Sequence, residues 1–288
     1  MQICRRVGDI RAAVAGFRAA QARVGLVPTM GALHPGHLRL VEEARGLCDR
    51  VVATIFVNPT QFGTGADLAA YPRREAQDIA MLESAGVDAV FIPEVADIYP
   101  EGDETVVETT RLARLFHGAV RPGHFRGVAT VVTKLLNITA PDHAFFGEKD
   151  YQQLAVIRRM VRDLFLPVAI HGVATMREAD GLALSSRNAR LTPADRAAAP
   201  VLNRALDLAE AAAAGGATLE DMLAVIRATV AAEPRARLRG CDAVWADSFT
   251  PATGALTRRA GLMISAEFGP VDDPVLLIDQ RELTPQGG

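Results

Sequence analysis

VGLVPTMGALHPGHL, residues 24–38, opens as a short apolar run, passes through Met30-Gly31, and at His34-Pro35-Gly36-His37 enters a helical pattern. An apolar run without polar alternation marks a strand buried on both faces, and a strand feeding into a helix is the unit from which parallel sheets are built. The same texture recurs along the chain. VVATIFV (51–57), DAVFIP (88–93), HAFFG (143–147) and PVAIHGV (167–173) have the length and β-branched content of buried strands, with helical patterns between them. The expectation is an α/β fold with a Rossmann-like parallel sheet and flanking helices.

Two intervening helices are well marked. In RGVATVVTKLLNIT (126–139) Val128, Val131, Val132, Leu135 and Leu136 recur at spacings of three and four, forming one stripe. DYQQLAVIRRMVRDL (150–164) repeats the pattern through Leu154, Ile157, Met160, Val161 and Leu164, with Asp150 placed as N-cap and Pro167 beyond its end. After about residue 176 the texture changes to alanine-rich helices (192–214 and 217–233), the first ending at Gly215, and then to apolar runs around CDAVWADSF, AGLMISAEF and PVLLIDQ. Two domains are expected: 1–176 with the parallel sheet, and 177–288 as a smaller α+β domain. No tandem repeat is present at any period.

Composition narrows the function classes. With 288 residues, 49% hydrophobic and 23% charged, the chain can bury a large core and lies outside the disordered regime; disorder is expected only at Gln286, Gly287 and Gly288. The formal net charge is -3 and Lys and Arg are scattered, so no basic block points to nucleic acid and a small-molecule substrate fits better. Cys4, Cys48 and Cys241 stand far apart, without metal or disulfide spacing, and read as reduced thiols. The N-terminal MQICRRVGDIRAAVAGFRAA lacks a continuous apolar segment, and nowhere do ~18 uncharged apolar residues run together, so a cytoplasmic protein without membrane spans is expected.

Three segments carry candidate chemistry. In VPTMGALHPGHL (27–38) the site falls where a strand ends and a helix begins, where free N–H groups and the helix dipole attract anions. His34 and His37 could there donate to phosphate oxygens, and Gly31 and Gly36 would allow close backbone approach; equally, HPGH reads as a solvated turn. FFGEKDYQQL (145–154) repeats the strand-to-helix passage with Lys149 at the turn, either a phosphate-following ammonium or one charge in a solvated cluster with Glu148 and Asp150. ADGLALSSRN (179–188) sets Ser185, Ser186 and Arg187 after the last parallel strand, as phosphate ligands or as a polar interdomain loop.

Taken together, VPTMGALHPGH, FVNPTQFG (56–63), YPR (71–73), RPGHFRGV (121–128), FFGEKDYQQL and DGLALSSRN, in that order, resemble the pantothenate synthetase family of the HxGH nucleotidylyltransferase superfamily. The likeness is dense over roughly residues 24–190 and rests beyond that on length and texture. It implies ATP-dependent condensation of (R)-pantoate with β-alanine through a pantoyl adenylate, with ATP as co-substrate and Mg2+ accompanying it on ligands the sequence does not identify. By the same resemblance Met30, Gly31, Ala32, Leu33, His34, Pro35, Gly36 and His37 line the ATP site, with His37 in the acid role and His34 as its phosphate-binding partner. Lys149, Ser185, Ser186 and Arg187 go with the phosphates, Gly147 and Asp150 with the ribose side, and Met176 with adenine through its backbone, while Glu148 and Leu184 belong to the ATP site without a finer role. Gln61 and Gln153 are assigned to pantoate, since a carboxamide donates to a carboxylate and accepts from a hydroxyl. Asn58, Tyr71, Arg121 and His124 match family positions around the site without assigned roles.

The chain departs from the family in Ala66-Asp67-Leu68, where many relatives carry Glu-Asp-Leu, and in Met176, where valine or isoleucine is more familiar. A homodimer and a C-terminal domain acting as lid are further implications of the resemblance. Two rivals stand beside this reading. Another HxGH nucleotidylyltransferase would adenylylate a phosphate-bearing substrate, against which the Gln61 and Gln153 segments argue; a silent nucleotide-binding scaffold would leave the intact His34, His37, Lys149 and Arg187 without purpose.

Overall fold

In the computed structural model residues 1–63 and 65–285 are described, so the expected disorder of Gln286–Gly288 lies outside the described residues. The chain divides into two units: Met1–Glu148 with Gln152–Ala174, and Lys149–Tyr151 with the chain from Thr175 onward.

The first unit alternates strands and helices: β1 (Gln2–Cys4), α1 (Val7–Ala19), β2 (Val24–Thr29), α2 (Pro35–Leu47), β3 (Arg50–Ile55), α3 (Gly65–Ala70), α4 (Glu75–Ser84) and β4 (Ala89–Phe91). It continues through α5 (Val95–Ile98), α6 (His117–Val120), α7 (His124–Thr139), β5 (His143–Gly147), α8 (Tyr151–Asp163) and β6 (Ala169–Val173). The strands form one sheet in the order β1-β4-β3-β2-β5-β6, with every pairing parallel. All five expected strands are present, β2 and β5 with the expected ends, and the Rossmann-like reading holds. β1 and α1 lie upstream of the expected strands and are additions to that reading; a strand of three residues is too short to show periodicity.

Apolar patterning explains what is buried. Val24, Leu26 and Val27 of β2 are fully buried in the middle of the sheet, as a run without polar alternation requires. On α7 the expected stripe Val128, Val131, Val132, Leu135 and Leu136 is buried throughout. On α8 Leu154, Ile157, Met160 and Val161 are buried, but Leu164 is half exposed. The helix stops at Asp163, and the left-handed φ of +53° at Phe165 turns the chain away, so the last member of that stripe falls beyond the helical periodicity. Asp150 ends a 3-10 turn, Glu148–Asp150, rather than standing alone before the helix.

The second unit contains α9 (Pro193–Ala198), α10 (Val201–Ala214), α11 (Leu219–Ala231) and an antiparallel sheet β7 (Arg237–Trp245), β8 (Ala260–Phe268) and β9 (Val275–Leu283), in the order β7-β8-β9. Helices and sheet share one core in which Leu202, Leu206, Met222 and Ile226 meet Leu262, Ile264 and Phe268. The helix expected over 192–214 is two helices. Pro200 has no N–H to give and obstructs the preceding turn, so α9 ends at Ala198 and α10 begins at Val201. Thr192 caps α9 through its hydroxyl, and Thr218 forms a capping box with Asp221 at α11. The cysteines are free thiols, as expected, with burial pushing Cys48 and Cys241 up to about 11. No helix among the described residues is long and apolar enough to cross a membrane.

Candidate active site

Strand order locates the site. From β2 the chain crosses to β3 on one side, whereas from β5 it crosses to β6 on the other, and β2 and β5 are themselves paired. Their carboxyl ends therefore bound a topological switch point, where a crevice opens between connections that diverge. VPTMGALHPGH leaves β2 at that point, and HAFFG ends there at Gly147.

The turn after β2 is tightly specified. Thr29 is locked to β3: its N–H donates to Thr54 Oγ1 at 3.2 Å and its hydroxyl donates to the Thr54 carbonyl at 2.5 Å. Gly31 (φ +79°) and Ala32 (φ +50°) are both left-handed. For alanine this conformation costs about 1–2 kcal/mol, so the surroundings must impose it. The main-chain N–H groups of residues 31–34 all meet side chains. Gly31 N donates to Thr29 Oγ1 at 3.2 Å, Ala32 N and Leu33 N to Asp78 Oδ2 and Oδ1 at 2.8 Å each, and His34 N to His37 Nδ1 at 3.3 Å. Asp78, on α4, is only 2% exposed. Gly31 meets this carboxylate too: a Cβ there would lie 2.9 Å from Asp78 Oδ2, so one role of the glycine is to admit Asp78.

Beyond the turn, His34 is the N-cap of α2, Pro35 occupies the first turn without needing a donor, and the His34 and His37 rings stand 4.1 Å apart between centroids. Because Nδ1 of His37 accepts from His34 N–H, its neutral tautomer carries the proton on Nε2 as a donor. Imidazole donors at the positive end of a helix suit an anionic ligand.

A second group converges on Gln61. Asn58, 1% exposed, donates from Nδ2 to Gln61 Oε1 at 2.9 Å and to the Gly127 carbonyl at 3.2 Å. Its Oδ1 accepts from the Tyr99 hydroxyl at 2.8 Å and from the Thr60 hydroxyl at 3.0 Å. Burial raises the Tyr99 phenol, partly offset by its bond to Thr60, which keeps it a neutral donor. With Oε1 engaged, the Gln61 amide nitrogen lies 3.1 Å from Met30 Sδ, so the VPTMG and NPTQ segments touch. The Gln61 carbonyl accepts from His124 Nδ1 at 2.8 Å and from Arg121 at 3.4 Å. A carbonyl cannot donate, so His124 carries its proton on Nδ1 here and offers Nε2 to Arg121 at 3.4 Å. Tyr71 packs edge-on against Phe62 at 5.7 Å.

The remaining expected residues fall after β5 and in the second unit. Lys149 is half-buried in the 3-10 turn with Glu148 and Asp150. The adjacent glutamines differ in a way their spacing conceals. Gln152 is buried, donating to the Leu112 and Leu115 carbonyls at 2.9 and 2.8 Å and accepting from His117 N, while Gln153 is only half-buried. In the second unit the Met176 carbonyl accepts from Leu184 N at 2.9 Å. Arg177 holds the buried Asp279 through two bonds of 2.6 and 2.9 Å, which fixes this turn on β9. Ser185 Oγ accepts from Arg187 N, and the Arg187 guanidinium donates to the Leu276 carbonyl at 3.3 Å. Ser186 and Arg187 lie in the 3-10 helix Ser186–Arg190.

Asp78 and Tyr99 are absent from the sequence-based expectations. Asp78 sits in RREAQDIAML, which reads as a charged helix start; the available signal is that it shares a face with the buried Leu82 four residues on. Among the described residues no group of three or more His, Cys, Asp or Glu converges as a metal site.

Comparison with known proteins gives the family. Residues 2–282 match the model of the family described as pantoate-beta-alanine ligase. A pantothenate synthetase of Cereibacter sphaeroides is 56% identical over 230 residues, 80% of this chain and 82% of that protein. The crystal structure of a pantothenate synthetase from Thermus thermophilus superposes with a TM-score of 0.92 at 45% identity, covering 99% of this chain and 100% of the other. A pantoate-beta-alanine ligase from Francisella tularensis, solved in complex with beta-gamma ATP and beta-alanine, gives 0.80 at 35% identity over 100% and 99% of the two chains. With the family model spanning nearly the whole sequence, the chain belongs to the pantoate-beta-alanine ligase family.

Proposed function

We propose that this amide-forming ligase condenses (R)-pantoate with β-alanine in two steps, through a pantoyl adenylate, with His34, His37, Lys149 and Arg187 carrying the charge of the first. A pantoate carboxylate oxygen attacks the α-phosphorus of ATP, the bond to the β-phosphate oxygen breaks, and pyrophosphate leaves with the electron pair. A carboxylate is a weak nucleophile, so the rate comes from alignment and from donors aimed at the charge that develops. The amine of β-alanine then attacks the acyl carbon of the mixed anhydride; AMP leaves and the amine gives up a proton as the amide forms. Mg2+ would accompany ATP, bound mainly through phosphate oxygens rather than protein ligands, and would offset charge on the departing pyrophosphate.

The observation that carries the reading is the paired imidazoles of His34 and His37 at the start of α2, beyond the carboxyl end of β2. Gln61, its carboxamide oriented by Asn58, has the donor needed for a carboxylate and would hold pantoate with Gln153. Ser185 and Ser186 join Arg187 on the phosphates, Gly147 and Asp150 face the ribose, and Met176 meets adenine through its backbone; the family resemblance supports these roles. A homodimer in the cytoplasm belongs to the same reading.

The test is ATP/pyrophosphate exchange by the purified chain with Mg-ATP and pantoate, with and without β-alanine. Exchange that requires pantoate but not β-alanine, with AMP and pantothenate appearing on addition of the amine, is the expected result. Amide formation without pantoate-dependent exchange would exclude the adenylate route.

A further inference from the structure

We propose that Asp78 is a positioning residue for the adenylation step, acting through the turn that carries His34 and His37. The inference rests on the reading of that turn as the ATP site. Asp78 comes from α4, on a different crossover from the histidines, yet its two oxygens accept from consecutive N–H groups, Ala32 and Leu33, at 2.8 Å each. A carboxylate with 2% exposure and two such bonds is a built contact, because burial without those donors would be unfavourable.

The geometry says what the contact does. Two successive left-handed residues, Gly31 and Ala32, aim neighbouring N–H groups into one concavity, an arrangement that binds anions. Here the anion is the protein's own. Asp78 fills the concavity, holds Ala32 in a conformation alanine avoids, and sets the direction in which the chain enters α2. The N–H groups of 31–34 are committed to Thr29, Asp78 and His37, so along this stretch it falls to the imidazoles, not the main chain, to meet phosphate. The alignment of those rings then depends on the turn, and a displacement of about 1 Å at a reacting centre costs on the order of 10² in rate.

The experiment compares the full-length chain with Asp78→Asn and Asp78→Ala in two half-reactions: pantoate-dependent ATP/pyrophosphate exchange over a range of ATP, and β-alanine aminolysis of supplied pantoyl adenylate. Asn keeps one acceptor oxygen but turns an NH2 toward the other N–H, and Ala removes both acceptors. The expected result is a fall in kcat/KM for ATP of about 10² in Asp78→Asn and more in Asp78→Ala, with KM for ATP raised and aminolysis within about threefold of the parent. An equal fall in both half-reactions, or unchanged ATP parameters in Asp78→Asn, overturns the proposal. Amide exchange in the unsubstituted protein gives a reading that does not depend on the variants folding: Ala32 and Leu33 N–H are expected to be protected, and exchange at unprotected rates overturns the proposal. Absence of pantoate-dependent exchange in the unsubstituted chain would instead bring down the site reading itself, and this inference with it.

Discussion

A phosphoanhydride bond breaks only as fast as charge on its leaving group is absorbed, so single donors set the rate. Lys149→Ala and His37→Ala are each expected to lower pantoate-dependent exchange by about 10² to 10³ with the fold intact by circular dichroism; a loss under about tenfold in either would remove that residue from the assignment. Residue types at motif positions are legible in the sequence, but their partners are not. HPGH and NPTQ can be read as strings, whereas the contact of Gln61 with Met30 and the orientation of Gln61 by Asn58 and Tyr99 cannot. Gln152 and Gln153 are chemically identical neighbours, and only packing makes the first an anchor for the 112–117 segment.

Elements hold these side chains through a few close approaches. At Gly127 on α7 a Cβ would lie 2.5 Å from the Thr60 carbonyl oxygen, backbone against backbone. Gly127→Ala is therefore expected to destabilise the protein by about 1–3 kcal/mol, seen as a lower urea midpoint, and to raise KM for pantoate because Asn58 also binds the Gly127 carbonyl. In the second unit Arg177→Ala would strand the Asp279 carboxylate, whose side chain is 1% exposed, at a cost of about 3–5 kcal/mol in chemical denaturation. Strands and long helices are legible because burial imposes a period, with ends shifted by a residue or two where turns intervene. The division of the 192–214 helix at Pro200 is written in the sequence, but an alanine-rich pattern on both sides masks a break of two residues.

For the molecule as a whole, the pH dependence of stability has a contribution from His171. Its ring nitrogen Nε2 faces His143 Nδ1 at 2.9 Å across β5 and β6, and its ring stacks on Phe145. Burial, then the charges of His143 and Arg158, lower its pKa below 6.5 in the folded state. Protonation thus favours the unfolded chain: this contribution is fully present above 6.5 and is lost as pH falls through the folded value. Melting temperature is expected to drop from about pH 8 to about pH 5, and His171→Gln to flatten that drop; an equally steep profile in the variant would assign it to the carboxylates instead. Asp49, Asp97, Asp180 and Asp195, each lowered by hydrogen bonds that outweigh desolvation, add a separate loss further into the acid range.

The parallel sheet, the crossover helices, the change of texture near residue 176 and the family all follow from the amino-acid order alone, because each is written in local periodicity or in contiguous motifs. The contacts that assemble the site come only with folding. The pairing of β2 with β5 makes the switch point, and Asp78 meets the turn at Ala32 across 46 residues of chain. Such contacts leave no periodic trace, since a buried carboxylate and a solvated one are the same letter until folding removes one of them from water.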